Sequence, residues 1–301
     1  MSIDVPSFAA WDRARPGVWM FTDDLARDQA VSLVTRLEAL GYSSLFVPET
    51  TGRDPFAHLA ALGEHTSTLV LATGIASIFN RHPGSMRQVS QTLAEQVDGR
   101  FLLGLGVSHA PMVEGVRKLD YSRPRSQMEQ FLEAMDASPY SGPPSPRPPA
   151  RVLAALGPRM LELAAAAADG AHTYFVTPAH TAQAREALGP RKILAVEQKV
   201  VLETEPARAR ELARVSISRY ARLPNYRKSW ARLGFTDEDI AQLSDRLVDG
   251  LVAWGSEADL RARIRAHYDA GATHVCLQPV VEAGDEDARW AVLEALAPGT
   301  D

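Results

Sequence analysis

The sequence predicts an α/β protein folded as a (β/α)8 TIM barrel with insertions. Eight short apolar runs alternate with stretches of helical periodicity along the chain, as expected of parallel strands joined by crossover helices. Proline follows several of these runs at the place where a helix would begin. The length of 301 residues is ordinary for one such barrel, and no change in composition marks a second domain. We therefore expect a single domain over residues 1–301.

The eight apolar runs are the predicted strands. Apolar residues at helical spacing lie between them, for example Ala30, Leu33, Val34 and Leu37 between the first two runs. Eight strands with intervening helices are the number that closes a TIM barrel. The runs cover residues 17–20, 44–48, 69–75, 101–107, 152–156, 173–176, 193–202 and 274–281.

Four prolines mark predicted helix starts directly after strands. They are Pro55, Pro83, Pro158 and Pro178, and proline suits the first helical position because it has no N–H to leave unpaired. We expect His82 to cap or pack at the second of these starts. In a barrel, helices that follow strands begin at the rim where catalytic and ligand-binding groups gather. The candidate site is therefore predicted at the carboxyl ends of the strands.

The junction at Gly157-Pro158 is a candidate anion site. An apolar run turns there into an alanine-rich helical pattern, and the first N–H groups of a helix have no internal partner. The positive end of the helix dipole and the charge of Arg159 would both favour a phosphate. Gly-Pro also starts many helices that bind nothing, so the junction alone leaves this open.

Two segments depart from a minimal barrel. Residues 139–149 contain too many prolines for a helix or central strand and are predicted to form an extended surface connection. Residues from about 222 to 254 are predicted to be a helical insertion, with a helix start at Thr236 and the reach-back carboxylate at Asp239. We interpret this insertion as a helical excursion packing its own aromatic residues rather than as a lid over substrate. These aromatic residues are Tyr226, Trp230, Phe235 and Trp254.

Charge and cysteine content narrow the possible functions. The formal net charge of −5 argues against a nucleic-acid or anionic-membrane surface, which would need a basic excess. The single cysteine, Cys276, excludes an internal disulfide and a multi-cysteine metal site, and its apolar neighbours predict an inert buried thiol. Without a signal-peptide pattern or an apolar span of membrane length, we expect a cytoplasmic protein. Lysine occurs only at positions 118, 192, 199 and 228, which argues against Schiff-base chemistry.

Several enzyme motifs are missing from the sequence. None of the eight histidines forms a close ligand motif with a carboxylate, and Gly-x-Ser-x-Gly does not occur, so neither a metal site nor a serine hydrolase is expected. A glycosidase would need paired carboxylates, and Glu49, Glu197 and Glu203 do not single out a pair. A Rossmann fold would need a Gly-rich turn after the first strand, which residues 17–22 lack. Residues 103–109 carry only two of its three glycines.

A set of short motifs nevertheless forms a recognisable series. They lie at residues 45–50, 71–75 with 81–83, 101–109, 155–160 and 254–255. Each is loose, but in this order and spacing they resemble the luciferase-like monooxygenase superfamily, and its branch that uses the deazaflavin coenzyme F420 looks closest. The resemblance covers nearly the whole chain. It implies a (β/α)8 barrel with insertions, commonly a homodimer, that holds a flavin or deazaflavin ring across the carboxyl ends of the strands.

The resemblance also implies which residues hold the cofactor. Thr73, Gly74 and Ile75 would flank the ring, with a non-prolyl cis peptide at Gly74-Ile75. Without the resemblance, glycines at these places indicate only an eased strand end or close packing. The ring or its side chain would be bordered by Asn80, Gly106, Val107 and Ser108, and the phosphate would lie against Leu156, Gly157, Pro158, Arg159, Met160 and Thr177.

Glu49 and His109 are the predicted catalytic residues. Hydride transfer requires a protein acid or base for any accompanying proton, and these titratable groups lie just after the second and fourth predicted strands. A structural hydrogen bond is the competing role for each. Related sugar-phosphate dehydrogenases carry an acidic residue where this chain has Val107, so the substrate class stays open.

The predicted function is an F420-dependent oxidoreductase that acts on a small organic molecule. The Gly-Pro-Arg junction favours this cofactor because it suits an anionic tail. An FMN-dependent luciferase-like monooxygenase is the alternative within the family. A flavin- or deazaflavin-binding protein without catalytic activity, and a hydrolase or lyase barrel without cofactor, are alternatives from other classes.

Overall fold

Eight parallel strands close into a barrel in a computed structural model that describes residues 11–299. Neighbouring barrel strands follow the chain order, and β10 closes the ring by pairing with both β1 and β8. The predicted (β/α)8 fold class is confirmed. The strands are β1 (Gly17–Trp19), β2 (Ser44–Val47), β3 (Val70–Thr73), β4 (Ala76–Ser77), β5 (Phe101–Gly106), β6 (Ala150–Ala154), β7 (Gly170–Thr173), β8 (Ile193–Leu202), β9 (Val252–Gly255) and β10 (His274–Pro279).

Helices cover the outside of the barrel and form the insertion. They are α1 (Arg27–Ala39), α2 (Pro55–Gly63), α3 (Pro83–Gln96), α4 (Pro124–Ala137), α5 (Pro158–Ala167), α6 (Pro178–Leu188), α7 (Pro206–Ser218), α8 (Pro224–Arg232), α9 (Asp237–Gln242), α10 (Asp245–Leu251), α11 (Glu257–Asp269) and α12 (Glu286–Ala295). A π-helical turn spans Pro111–Val116 and a 3-10 turn spans Tyr220–Arg222. Residues 139–149 form neither helix nor strand. Within the described residues, no helix has the length and apolar character needed to cross a membrane.

Two short strands extend the barrel at its carboxyl end. β4 pairs with β5, and β9 pairs with the last four residues of β8. β8 is ten residues long, so it reaches beyond its pairing with β7, which ends at Val196, and offers a free side to β9. The sequence did not predict a strand at residues 252–255. It also placed the barrel strand before α6 at residues 173–176, which is wrong.

Backbone crowding explains the position of β7. A Cβ on Gly170 would collide with the Ile193 carbonyl, so the close pairing of β7 with β8 requires a glycine at this position. After Thr173 the chain leaves the ladder, because Phe175 has a φ of 56° and its amide donates to Glu197 Oε2 at 3.0 Å. The apolar run at residues 174–176 is buried in a loop rather than in a strand.

The predicted proline starts of four helices are confirmed. Pro55, Pro83, Pro158 and Pro178 are the first residues of α2, α3, α5 and α6. His82 Nδ1 accepts the Gly84 amide at 3.2 Å, so it caps α3 as predicted. Proline restricts these first turns to helical dihedrals at the rim, where the strands end.

Aromatic and polar side chains fill the barrel interior in layers. Phe46 stacks on His172 and His274, with ring centroids 5.0 and 6.0 Å away. His274 Nε2 lies 2.8 Å from Ser44 Oγ, and His172 Nδ1 lies 3.1 Å from the Ala195 carbonyl oxygen. Cys276 is fully buried, and burial raises the pKa of its thiol, as predicted for an inert group.

The insertion has a hydrophobic core of its own. Trp230 is fully buried and donates from Nε1 to the Phe175 carbonyl oxygen at 3.0 Å, which joins α8 to the loop after β7. Thr236 and Asp239 form the predicted capping box at the start of α9. The cluster also contains Tyr226, Phe235, Ile240, Leu247, Val248 and Leu251.

We expect Gly104→Ala to destabilise the barrel strongly. A Cβ at Gly104 would collide with the Thr73 carbonyl oxygen, and neither backbone can move without breaking the pairing of β3 with β5. Overpacking of this kind costs about 1–3 kcal/mol or more, to be measured as the free energy of unfolding in urea. Gly115→Ala is the matched control, because nothing lies within 4 Å of a Cβ there. Equal stability of the two variants would contradict the packing argument.

We also expect stability to fall between about pH 6.5 and pH 4. Burial lowers the pKa of His172 to about 4, below its unfolded value of about 6.5. In that window the unfolded chain binds more protons, so the free energy of unfolding decreases as pH falls. His172→Asn keeps an N–H donor and should flatten the slope by about 1.4 kcal/mol per pH unit. An unaltered slope in His172→Asn would contradict the prediction.

Candidate active site

A cavity of about 590 Å³ opens at the carboxyl ends of the strands. Its size lies within the range of about 300–1,000 Å³ typical of small-molecule sites. The residues following β2, β3, β5 and β6 all contribute to its wall, because the carboxyl ends of parallel barrel strands face one mouth. The cavity is therefore where the sequence placed the candidate site.

Two predicted motifs meet at this cavity. Residues 107–109, after β5, and residues 156–157, at the start of α5, line the same space. The predicted cofactor slot and the predicted phosphate junction therefore share an opening. The predicted residues that line the cavity are Glu49, Gly74, Ile75, Val107, Ser108, His109, Leu156, Gly157 and Met160.

The backbone after β3 forms one wall. Gly74-Ile75 is a cis peptide, as the resemblance implied. Trp19 Nε1 donates to the Gly74 carbonyl oxygen at 2.9 Å, and the Glu49 amide donates to the Ile75 carbonyl oxygen at 3.0 Å. A Cβ at Gly74 would lie 2.6 Å from Trp19 Nε1, so only glycine allows this contact. Both carbonyls are held in place before any ligand arrives.

Three predicted cofactor residues support the wall from behind. Thr73 is fully buried, and its Oγ1 donates to the Gly104 carbonyl oxygen at 2.7 Å and accepts the Gly104 amide at 2.9 Å. Gly106 packs beneath Ile75, where a Cβ would collide with the isoleucine side chain. Thr177 caps α6 by accepting the His180 amide. None of the three lines the cavity.

The start of α5 offers few free amides and lacks the predicted cation. Pro158 has no N–H, and the Met160 and Leu161 amides donate to the Gly157 carbonyl oxygen. Gly157 precedes the helix and supplies no capping side chain. Pro158 and Arg159 are exposed and do not line the cavity, while Asn80 is half-buried outside it. The guanidinium at this junction belongs to Arg232 of α8, whose Nη2 donates to the Leu156 carbonyl oxygen at 3.0 Å.

The insertion forms much of the opposite wall. Tyr226, Asn225 and Leu223 line the cavity together with three cationic residues. Our interpretation of an excursion rather than a lid was therefore incomplete, because the segment packs its own core and also borders the site. No periodic pattern in the sequence predicts that this segment lies over the barrel mouth. The cationic residues are Arg219, Lys228 and Arg232.

Glu49 is tied into a salt bridge. Its Oε1 lies 2.5 Å from Arg81 Nη1 and its Oε2 accepts the Ser77 amide at 2.8 Å, with only 5% of the side chain exposed. Arg81 also pairs with Asp54 at the start of α2. Both carboxylate oxygens have partners, so the structural role that competed with catalysis is the one the geometry favours.

His109 is a neutral group on the cavity wall. Burial, followed by the charge of Arg219, lowers the pKa of its imidazole to about 4. Its Nδ1 is buried and has no hydrogen-bond partner in the described part of the chain, and its ring lies 5.7 Å from that of Tyr226. A neutral imidazole with an unsatisfied nitrogen can accept or donate a hydrogen bond to a ligand.

A buried ion pair that the sequence motifs did not predict lies beneath the cavity. Lys199 Nζ lies 3.1 Å from Glu197 Oε1 and donates to the Tyr174 hydroxyl at 2.8 Å. Both charged residues are at most 2% exposed, and they point into the barrel because residues two apart on a strand share a face. Two charges in an apolar strand pattern were the available signal. Tyr174 links the pair to the cavity wall.

Polar clusters that bind metals are not part of this site. No group of three or more His, Cys, Asp or Glu side chains within residues 11–299 is arranged to hold a metal ion.

Sequence comparison places the chain among known proteins. A model of luciferase-like monooxygenases matches residues 7–274. An uncharacterized protein of Mycobacterium tuberculosis is 31% identical over 173 residues, which are 49% of this chain and 50% of that protein. Another M. tuberculosis protein, named "putative coenzyme F420-dependent oxidoreductase", is 30% identical over 101 residues, 34% of this chain and 29% of that protein. The chain thus spans half or less of the length of these curated relatives.

Solved structures with the same fold carry either type of cofactor. The coenzyme F420-dependent tetrahydromethanopterin reductase of Methanopyrus kandleri has a TM-score of 0.71 at 15% identity, over 95% of this chain and 98% of that one. An F420-dependent secondary alcohol dehydrogenase has a TM-score of 0.71 at 14% identity, over 94% and 98%. The FMN-bound Baeyer-Villiger monooxygenase of Pseudomonas putida has a TM-score of 0.70 at 15% identity, over 95% and 97%. At these identities the likeness shows the fold, and with the family match over residues 7–274 the chain belongs to the luciferase-like monooxygenase family.

Proposed function

We propose that this protein binds coenzyme F420 and transfers a hydride between it and a small organic substrate. The observation that carries the proposal is the shared cavity, in which a rigid backbone wall at Gly74-Ile75 faces the uncapped start of α5. A flat ring with an anionic tail needs both features at once. The chemistry that the cofactor supplies when bound is hydride transfer at its ring carbon.

The residues present fit such a ring. Gly74 and Ile75 present fixed backbone, and the Val107 and Ser108 backbone borders the same space. Two residues of the cavity wall each have a buried nitrogen, His109 Nδ1 and His172 Nε2, that has no hydrogen-bond partner within residues 11–299. Polar atoms left unpaired inside a cavity are expected to meet a ligand.

The basic rim supports an anionic tail. The positive end of the α5 dipole favours phosphate. Arg219, Lys228 and Arg232 add three cations around the same opening, in a chain with a net charge of −5. Such a local excess favours the longer, more highly charged tail of F420 over the single phosphate of FMN.

The relatives support the same choice without deciding it. The name of one M. tuberculosis relative includes coenzyme F420, and so do the names of two enzymes with the same fold. An FMN-bound monooxygenase shares that fold as well, so FMN is the second candidate cofactor. A binding protein without turnover is the alternative from another class. The homodimer and the cytoplasmic location stay predictions.

The cavity wall also constrains the substrate. Phe21 and Val116 are exposed apolar side chains at the cavity, and Met112 lies beside them in its wall. An apolar entrance favours a substrate with a hydrocarbon portion. We propose that His109 contacts this substrate, whereas Glu49 holds the wall in place through Arg81 and the Ser77 amide.

Titration of the purified protein with F420 and with FMN tests the proposed cofactor. We expect F420 to bind, seen as quenching of its fluorescence, because the cavity offers a tail site beside the ring slot. Binding of FMN alone at micromolar concentration would overturn the proposal in favour of a flavin enzyme. Binding of F420 without any hydride exchange across alcohols, ketones and enones would favour the non-catalytic alternative.

Arg232→Ala should weaken F420 binding by one to two orders of magnitude. A charge-assisted hydrogen bond contributes about 1.5–3 kcal/mol, and Arg232 is the guanidinium that borders the start of α5. Arg159→Ala is the matched comparison, because Arg159 is exposed outside the cavity wall and its loss should change the Kd little. If Arg159→Ala alone weakens binding, the sequence prediction is right and the assignment of Arg232 is wrong.

A further inference from the structure

We propose that Tyr220 exchanges a proton with the substrate oxygen and that Tyr174 and Lys199 form a relay behind it. The inference rests on the proposed function, since a substrate that gains a hydride on carbon must also gain a proton on oxygen. It deepens that function by naming the proton-handling group and a carbonyl or alcohol substrate. Neither tyrosine nor lysine was singled out by the sequence motifs.

The relay is a continuous chain of hydrogen bonds from the barrel interior to the cavity. Lys199 Nζ donates to the Tyr174 hydroxyl at 2.8 Å, and that hydroxyl lies 3.0 Å from the hydroxyl of Tyr220. Tyr174 and Tyr220 line the cavity, whereas Lys199 lies behind them. Gln278 Oε1 accepts from both Tyr174, at 2.9 Å, and Lys199. The chain therefore has one end in the site and the other in the core.

Burial of the Glu197–Lys199 pair calls for a functional explanation. Removing two charges from water costs more than their attraction usually returns, and apolar residues of similar size would commonly be at least as stable. Lys199 donates all three of its ammonium protons in hydrogen bonds, to Glu197, Tyr174 and Gln278. Burial lowers the pKa of its ammonium to about 8, so its proton can be given up and regained near neutral pH.

The Tyr174 hydroxyl can be oriented in two ways. When the Tyr174 hydroxyl donates its hydrogen bond to Gln278 Oε1, the Tyr220 hydroxyl donates to Tyr174 and presents only lone pairs to the cavity. When the Tyr174 hydroxyl instead donates its hydrogen bond to the Tyr220 oxygen, the Tyr220 proton is free to point at a ligand. The second arrangement gives a proton to a carbonyl. Alcohol oxidation instead requires neutral Lys199 with the Tyr174 proton directed at Nζ, so that Tyr174 can take the Tyr220 proton and Tyr220 can take one from the alcohol. The orientation of the Tyr174 hydroxyl and the charge of Lys199 together set the direction of proton transfer.

The relay lies beside the proposed ring slot. The Tyr174 ring is 4.9 Å from that of Trp19, whose Nε1 holds the Gly74 carbonyl oxygen. Tyr220 comes from the 3-10 turn of the insertion and faces the same cavity as Ile75. A substrate oxygen in this cavity can therefore reach the tyrosine hydroxyls while its carbon faces the slot.

Carbonyl reduction moves one proton along each link of the relay. The carbonyl carbon gains a C–H bond with the hydride pair, the π pair moves to oxygen, and that oxygen takes the proton of Tyr220. Tyr220 oxygen takes the proton of Tyr174, and Tyr174 oxygen takes one from Lys199 Nζ. Lys199 is left neutral and, because it is buried, regains its proton through Tyr174 and Tyr220 after the product has left. Alcohol oxidation runs through the same groups in reverse.

Lysine NMR of the cofactor-free protein tests whether the relay is connected. With [6-13C]lysine the four lysines give four signals, and Lys199 is identified by its loss in the charge-neutral variant Lys199→Met/Glu197→Gln. We expect Tyr220→Phe to shift the Lys199 signal and its titration, with Lys118 and Lys192 unmoved. The ionisable groups facing Lys199 are Glu197, Tyr174 and, through Tyr174, Tyr220.

Tyr140→Phe is the matched control for this measurement. It removes a tyrosine hydroxyl from the proline-rich connection, which does not line the cavity, and should leave Lys199 unchanged. An unshifted Lys199 signal in Tyr220→Phe would overturn the relay. The result does not depend on F420, so a failure of the proposed cofactor leaves it interpretable.

A chromogenic aldehyde tests whether Tyr220 donates to a bound carbonyl. The absorption band of 4-(dimethylamino)cinnamaldehyde moves to longer wavelength when its carbonyl oxygen accepts a hydrogen bond. We expect the cofactor-free protein to shift this band, Tyr220→Phe to lose the shift, and Tyr140→Phe to keep it. The same band in wild type and Tyr220→Phe, or loss of the shift only in His109→Gln, would assign the carbonyl contact elsewhere and overturn the proposal.

Discussion

The hydrogen bond from the Trp19 indole to the Gly74 carbonyl is the contact on which the site depends. It ties the end of the first strand to the turn after the third, and it is possible only because Gly74 has no Cβ. Gly104 and Gly106 allow the neighbouring strand an equally close approach. The rim therefore consists of packed backbone, and a ligand meets a surface whose shape is set by the barrel core.

The fold was predictable from sequence because its signals are local. Strand alternation, helix periodicity and proline at the first helical position each depend on a few adjacent residues, and they agree along the whole chain. The strand before α6 was misplaced because Gly170 and His172 do not look like strand residues, although close pairing with β8 favours both. The site was predictable where it follows strand ends, as at Val107 and Leu156.

The rest of the site could not be predicted because it depends on contacts between distant segments. Arg232 replaces Arg159 at the start of α5 only because α8 folds back over the barrel mouth. Glu49 looks catalytic until Arg81, from the next strand-helix unit, is found on its carboxylate. For Lys199 and Glu197, two apart on β8, the sequence carried the signal of two charges in an apolar run, but only the closed barrel shows that their strand face has no solvent. Charge pairs between residues far apart in the sequence produce no periodic pattern that could predict them.

The pairing of β9 with β8 determines how the insertion behaves. The segment that carries α7 to α10 leaves the barrel from the end of β8 and returns to that same strand, so ladder hydrogen bonds fasten both of its ends. Because both of its ends are attached, this segment is held in place over the barrel and does not act as a hinged flap. Little conformational entropy then remains to be lost on association, and ligand exchange can proceed through a mouth that is already open.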